Sequence, residues 1–170
     1  NVIPASADCE FCIRADTMKR IEGLIDVIKL CVRNAEQLTG AKADISWGEI
    51  SAERYPNRPM CQAFKDNMAT LGIEMKWPDP KAQYGSSDIG NVSIKIPAIH
   101  DYLSITDDKT IQSHSKAYAD AAASPQADEI CLKGAKGLAM TALDILEDSK
   151  FRDEINAYHD AQVPERYHEK

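Results

Sequence analysis

An α/β fold is what the sequence predicts, and three observations carry the prediction. Near the start, apolar and polar residues alternate with the period of a half-buried strand. Directly after it, apolar residues recur at i, i+3 and i+4, the spacing of one helix face. A second alternating segment follows, so residues 1–53 read as strand, helix and strand, a small α/β unit with one sheet face covered by one helix.

The first strand candidate is 6–14, where Ala7, Cys9, Phe11 and Ile13 alternate with Asp8, Glu10, Cys12 and Arg14. Asp16 or Thr17 can cap the helix that follows. Its expected buried stripe is Ile21, Leu24, Ile25, Ile28, Cys31, Val32, Ala35 and Leu38, and Gly40 supplies the stop. Ala43, Ile45 and Trp47 then alternate with polar neighbours as the second strand. Between 48 and 59 the pattern breaks, with Pro56 and Pro59 close together, which predicts a domain boundary dividing the chain into 1–53 and 54–170.

Beyond the break, Met60, Ala63, Phe64, Met68 and Leu71 share one side of a second helix, with Gly72 after it. Trp77-Pro78-Asp79-Pro80 reads as a loop. The small polar loop GSSDIGNVS, 85–93, opens into an alternating strand of Val92, Ile94 and Ile96, and Tyr102, Leu103 and Ile105 give another extended piece. Ser124 before Pro125 is a helix start; the helix to about Leu146 is expected to bury Ala127, Cys131, Ala135, Leu138, Ala139, Ala142 and Leu146. A shorter helix from Ser149 uses Phe151, Ile155 and Tyr158, and the charged tail 163–170 is expected to fray.

Composition narrows the function classes. A chain of 170 residues is one ordinary domain or two small ones, large enough to fold without a disulfide or metal. Lys plus Arg total 20 against 27 for Asp plus Glu, a net charge of -7, with no Lys/Arg-rich block. That balance argues against nucleic-acid partners, which need a concentrated positive field. No apolar run approaches the roughly 20 residues of a membrane span. Asn1-Val2-Ile3-Pro4 has neither an initiator Met nor a signal-peptide layout, and reads as the middle of a longer protein.

The five cysteines include a C-x-x-C at Cys9 and Cys12. On a strand, residues three apart point to opposite faces, so these thiols do not share a metal there. Cys31, Cys61 and Cys131 sit among apolar residues at helical spacing, as small hydrophobes. Reduced structural thiols and a cytoplasmic setting are the expectation.

None of the four histidines forms an H-E-x-x-H, H-x-H or H-x-D motif, and spacing alone assembles no zinc site. His159 and His168 flank the tail and read as solvated. His100 follows a strand, and His114 lies in a loop entering a helix, a common position for a site residue. Arg14 suits bidentate recognition of a carboxylate, or a plain surface pair with Glu10. Asp88 is either a site carboxylate or a turn residue bonded to its own backbone.

Four segments taken in order are more specific than any alone: Asn1-Val2-Ile3-Pro4 followed by Arg14, GSSDIGNVSIKIPAIHDY at 85–102, SHSKAYADAA at 113–122 and AKGLAMTALDIL at 135–146. Together they resemble the C-terminal part of zinc-dependent amidohydrolases of the aminoacylase/carboxypeptidase family, nearest to the aminobenzoyl-glutamate hydrolase and dipeptidase-like branch. The resemblance runs from Asn1 to about Tyr158. It implies that 1–53 is the second half of a small α/β lid, or dimerisation, domain. It also implies that 54–170 is the C-terminal part of an α/β zinc-hydrolase catalytic domain.

The resemblance further implies that His114 is the last metal-ligand histidine, that Arg14 holds the substrate's carboxylate, and that Asn1 orients substrate or stabilises the oxyanion. Ser87 and Asp88 match the small-residue loop at the substrate pocket. The substrate class implied is a dipeptide or N-acyl amino acid, and the cofactor is zinc or another divalent metal, bound only if the missing N-terminal half is supplied. The family's other ligands and general-base glutamate have no counterpart here, so the chain alone is expected to be inactive. It also carries Asp101 where members commonly have Pro. Partners implied are a second copy of the chain or the missing half. A non-catalytic carboxylate-binding or dimerisation module, and an unrelated cytosolic α/β domain, are the alternatives.

Overall fold

The computed structural model describes residues 1–79 and 85–167. The chain divides into two compact units, Asn1–Glu53 and Arg54–Lys170.

The first unit is built on one helix, α1 (Met18–Thr39). Thr17, with extended backbone, caps it by accepting from the Arg20 N–H, and Gly40 ends it in the left-handed conformation at φ 74°. Gly tolerates that φ because it has no Cβ. Ile21, Ile25, Ile28 and Val32 form a half-buried stripe. Leu24 and Leu38 of the expected stripe are 41% and 87% exposed, so part of it faces outward, as do Val27 and Leu30. The segment after Gly40 returns along the helix. Glu36 accepts from the Ala43 N–H at 2.9 Å, Glu53 accepts from the Met18 N–H at 3.0 Å, and Lys29 lies 5.8 Å from the Trp47 ring centroid.

The second unit is a helical cluster. Its elements are α2 (Arg58–Thr70), α3 (Ile89–Ser93), α4 (Lys116–Ala122), α5 (Pro125–Glu147) and α6 (Ser149–Gln162), followed by a 3-10 turn at Glu165–Tyr167. Helix α2 packs against both α5 and α6. The core holds Cys61, Phe64, Met68, Ala127, Ile155 and Val163. Asn57 is 1% exposed and joins two elements: its Oδ1 accepts from the Met60 N–H, and its Nδ2 donates to the Ile155 carbonyl at 2.9 Å.

Local signals placed α2, α5 and α6 well, whereas α3 and α4 were not expected. Ser124 accepts from the Ala127 N–H with Pro125 in the first turn, and Asp148 accepts from the Lys150 and Phe151 N–H groups. The buried face of α5 differs from expectation. Ala127, Gly134, Gly137 and Thr141 point inward, whereas Cys131, Ala135, Leu138 and Leu146 are exposed. The glycines decide this rotation, because a face without side chains lets Phe64 and Met68 approach α5 closely.

The strands expected at 6–14, 43–47, 92–96 and 102–105 are not formed by the described residues, which carry only an isolated parallel bridge between Pro56 and Ala98. A strand needs a neighbour for its backbone groups. At 92–96 local bonds take over: α3 includes Val92, and the Ile94 and Ile96 N–H groups donate to the Gly90 and Val92 carbonyls. The expected frayed tail is also ordered through Tyr167. Val163 is 3% exposed, and Lys95 donates to the Tyr167 carbonyl at 3.1 Å. Pro80 of the expected loop, and residues 168–170 with His168, lie outside the described residues.

Candidate functional site

The residues singled out in the sequence fall on both units. Asn1 and Arg14 are exposed residues of the first, with Arg14 three positions before the cap of α1. Ser87, Asp88 and His114 belong to the second. Ser87 and Asp88 are brought together at the start of α3: the Ser87 hydroxyl donates to Asp88 Oδ1 at 3.4 Å, and their carbonyls accept from the Gly90 and Asn91 N–H groups. Asp88 therefore shapes a turn while its carboxylate stays exposed. None of the described hydrogen bonds joins His114 to either residue.

His114 is exposed and sits one residue before Ser115, which caps α4 by accepting from the Tyr118 N–H at 3.1 Å. Its φ is 62°, the one positive φ of a non-glycine residue among those described. Left-handed backbone at a residue with a Cβ is uncommon and mildly costly. The described residues contain no group of three or more His, Cys, Asp or Glu able to hold a metal ion. These described residues alone therefore do not fit a metal. All five cysteines are free; Cys61 is buried, and Cys9, Cys12, Cys31 and Cys131 are exposed.

Sequence reasoning missed a second cluster. A cleft of about 960 Å³ in the second unit is lined by Arg58, Cys61, Lys65, Trp77, Asp101 and Tyr102 among others. The Arg58 guanidinium lies 4.9 Å from the Trp77 ring centroid, and the His100 and Tyr102 rings stack at 4.9 Å. Arg54 donates to the Tyr102 hydroxyl at 3.1 Å. Asp101, half-buried, and the buried Cys61 influence each other in this wall. Burial, reinforced by the Asp101 carboxylate, pushes the Cys61 thiol up to about 12, while Arg58 pulls the other way. Burial also raises the Asp101 carboxyl above the usual range, opposed by Cys61 and by His100. Oδ2 of Asp101 is buried without a hydrogen-bond partner among the described residues. The available signal was an Asp separated by His100 from the apolar run Pro97-Ala98-Ile99.

His159 also departs from expectation. It is 8% exposed, and its Nε2 lies 3.0 Å from the Ser93 carbonyl oxygen, so it is a packed, hydrogen-bonded residue. Among the described residues no helix is long and apolar enough to cross a membrane.

No protein-family model matches the chain. It is 37% identical over 152 residues to an Xaa-Arg dipeptidase of Mus musculus, a match covering 86% of this chain and 34% of the relative. It is 35% identical over 149 residues to an Xaa-Arg dipeptidase of Homo sapiens, again covering 86% of this chain and 34% of that protein. The chain thus spans about a third of the length of these relatives.

Proposed function

We propose that this chain is part of a metal-dependent dipeptidase-like amidohydrolase that cleaves the amide bond of a dipeptide or N-acyl amino acid. The observation that carries the reading is the similarity to two Xaa-Arg dipeptidases across 86% of the chain. Their name makes dipeptides ending in arginine the first substrates to try.

On this reading residues 1–53 are half of a lid domain, and 54–170 are part of the catalytic domain. Segments 6–14 and 43–47 would then pair with strands from polypeptide outside this sequence, and the exposed Cys131, Ala135, Leu138 and Leu146 face of α5 would be covered by it. The outward residues of α1, Leu24 and Val27, would meet a second copy or that same polypeptide.

The chain's own contribution is binding and orientation. Arg14 offers a planar fork matched to a carboxylate. The Asn1 side-chain amide can donate to a carbonyl oxygen that gains charge. Ser87 and Asp88 border the substrate pocket. His114 contributes one donor to a divalent ion such as zinc, with the other ligands and the general base outside this sequence. By itself the chain is expected not to hydrolyse substrate.

A chimera tests this. The matching portion of the mouse relative is replaced by this chain, and hydrolysis of a dipeptide ending in arginine is measured beside the parent enzyme. Activity in the chimera, with none in the 170-residue chain, supports the proposal. A chimera that melts cooperatively yet is inert, while the parent is active, overturns it.

A further inference from the structure

We propose that the cleft of the second unit binds a monocarboxylate with an apolar body, its carboxylate on the Arg58 guanidinium and its body along the Trp77 wall. The inference goes beyond the dipeptidase reading. Ser87, Asp88 and His114, which that reading uses, do not line this cleft, and the test needs no turnover.

Three observations converge. First, the Arg58 guanidinium lies 4.9 Å from the Trp77 ring centroid and makes no hydrogen bond or ion pair among the described residues. The indole ring holds the guanidinium and leaves its N–H edge for a planar anion. That short distance also sets a charged group and an apolar wall side by side. Second, helical register brings further positive charge to the same wall. Arg58, Cys61 and Lys65 stand at i, i+3 and i+7 of α2, on one face, and all three line the cleft. Arg58 and Lys65 are thus two turns apart, with Cα atoms about 10 Å from each other. Lys65 is half-buried and, like Lys76 beside Trp77, has no acidic partner among the described residues. With Arg54, the lining residues include four Lys or Arg and one acidic residue, Asp101, in a chain of net charge -7. A cleft dominated by one sign of charge concentrates ligands of the other. Third, the rest of the wall is largely apolar, with Met75, Ile89 and Ile99 beside Trp77. Concave sites of a few hundred to about 1,000 Å³ with apolar walls and few polar groups suit small molecules.

The wall chemistry selects the ligand class. A small inorganic anion leaves the apolar wall facing water, and a neutral apolar molecule leaves the cationic groups unmatched. A phosphate group brings close to two charges and three acceptor oxygens into a largely apolar cleft, where desolvation is costly. A carboxylate brings one charge and two oxygens, which the guanidinium fork pairs in its own plane.

The test titrates the full chain with 4-phenylbutanoate, following backbone amide and Trp indole signals by NMR. Saturable binding that shifts the Trp77 indole and the amides of Arg58 and Lys65 is expected. Acetate lacks the apolar body, 4-phenylbutan-1-ol lacks the charge, and 4-phenylbutylamine reverses it. Each should bind about tenfold or more weakly, as should 4-phenylbutanoate to Arg58→Gln. The ligand comparison uses the unaltered chain and stays decisive if the variant misfolds. No saturable binding at millimolar 4-phenylbutanoate, shifts confined to other residues, equal affinity for any of the three controls, or unchanged affinity in a folded Arg58→Gln overturns the proposal.

Discussion

Gly137 of α5 lies directly against Met68 of α2, so close that a Cβ on Gly137 would overlap the Met68 sulfur and stand 3.0 Å from Phe64 Cε2. Met68 is fully buried. Gly137→Ala should therefore destabilise the second unit by about 1–3 kcal/mol through overpacking. Gly23, inside α1 with nothing near its would-be Cβ, is the control. Gly23→Ala should instead favour its helix by about 1 kcal/mol. Denaturant unfolding of both variants checks the opposite signs; a stabilising Gly137→Ala would contradict the packing described.

Asn57 fills two roles with one side chain, capping α2 and donating to the Ile155 carbonyl of α6. Asn57→Ala removes both and should cost about 2–4 kcal/mol, a lost cap plus a buried carbonyl left unpaired. Asn57→Asp retains the cap acceptor but loses the donor to Ile155, and should fall between the two in a thermal melt.

These two cases show which parts of the fold were legible in the sequence. Thr17 with Gly40, Ser124 with Pro125 and Asp148 all act within a turn or two, so the residues that start and stop helices announce themselves. The inward face of α5 depends on what packs against it. Gly134 and Gly137 contribute no apolar side chains, so the periodicity pointed to the Cys131 to Leu146 stripe on another face. The expected strands are not formed among the described residues for a related reason, since alternation marks a segment that can pair but does not provide its partner. His159 looked solvated because it flanks the charged tail, yet it is buried with its Nε2 against the carbonyl of Ser93, distant in sequence. Arg14 and His114 gained specific roles only through motif order; both are exposed, and their burial does not distinguish them.

Thiol reactivity should follow burial. Cys61, with its thiol pushed up to about 12, stays protonated and shielded near neutral pH. Iodoacetamide at about pH 8 should modify Cys9, Cys12, Cys31 and Cys131 first, leaving Cys61 until the chain unfolds. Peptide mass spectrometry over time reads the order; early modification of Cys61 would count against the cleft as described.

Asp101 gives a pH dependence with a definite sign. Its carboxyl is raised in the folded chain, so the folded state holds the proton more tightly than the unfolded state. Stability from this group is then present below the ordinary carboxylate pKa and lost as pH rises through the raised folded value. Asp101→Asn removes that loss. The variant should melt above the parent at neutral pH, with the gap narrowing toward pH about 3. A gap that widens on acidification would reverse the assignment.

Arg14 is proposed to grip the substrate carboxylate, a contact made in ground and transition states alike. In the active chimera, Arg14→Ala should raise KM by about 10- to 100-fold with a smaller change in kcat, the range of a lost charge-assisted pair. Arg14→Lys should recover part of the loss, because it restores charge without the fork. A fall confined to kcat would assign Arg14 elsewhere.

His114 carries the central claim, that this chain supplies a donor to a dipeptidase metal site. Metal content measured together with turnover, for the chimera and its His114→Ala variant, tests it most directly. Turnover reduced by at least about 100-fold, with metal affinity falling in parallel, is the predicted result. Unchanged turnover with full metal occupancy in His114→Ala would contradict it.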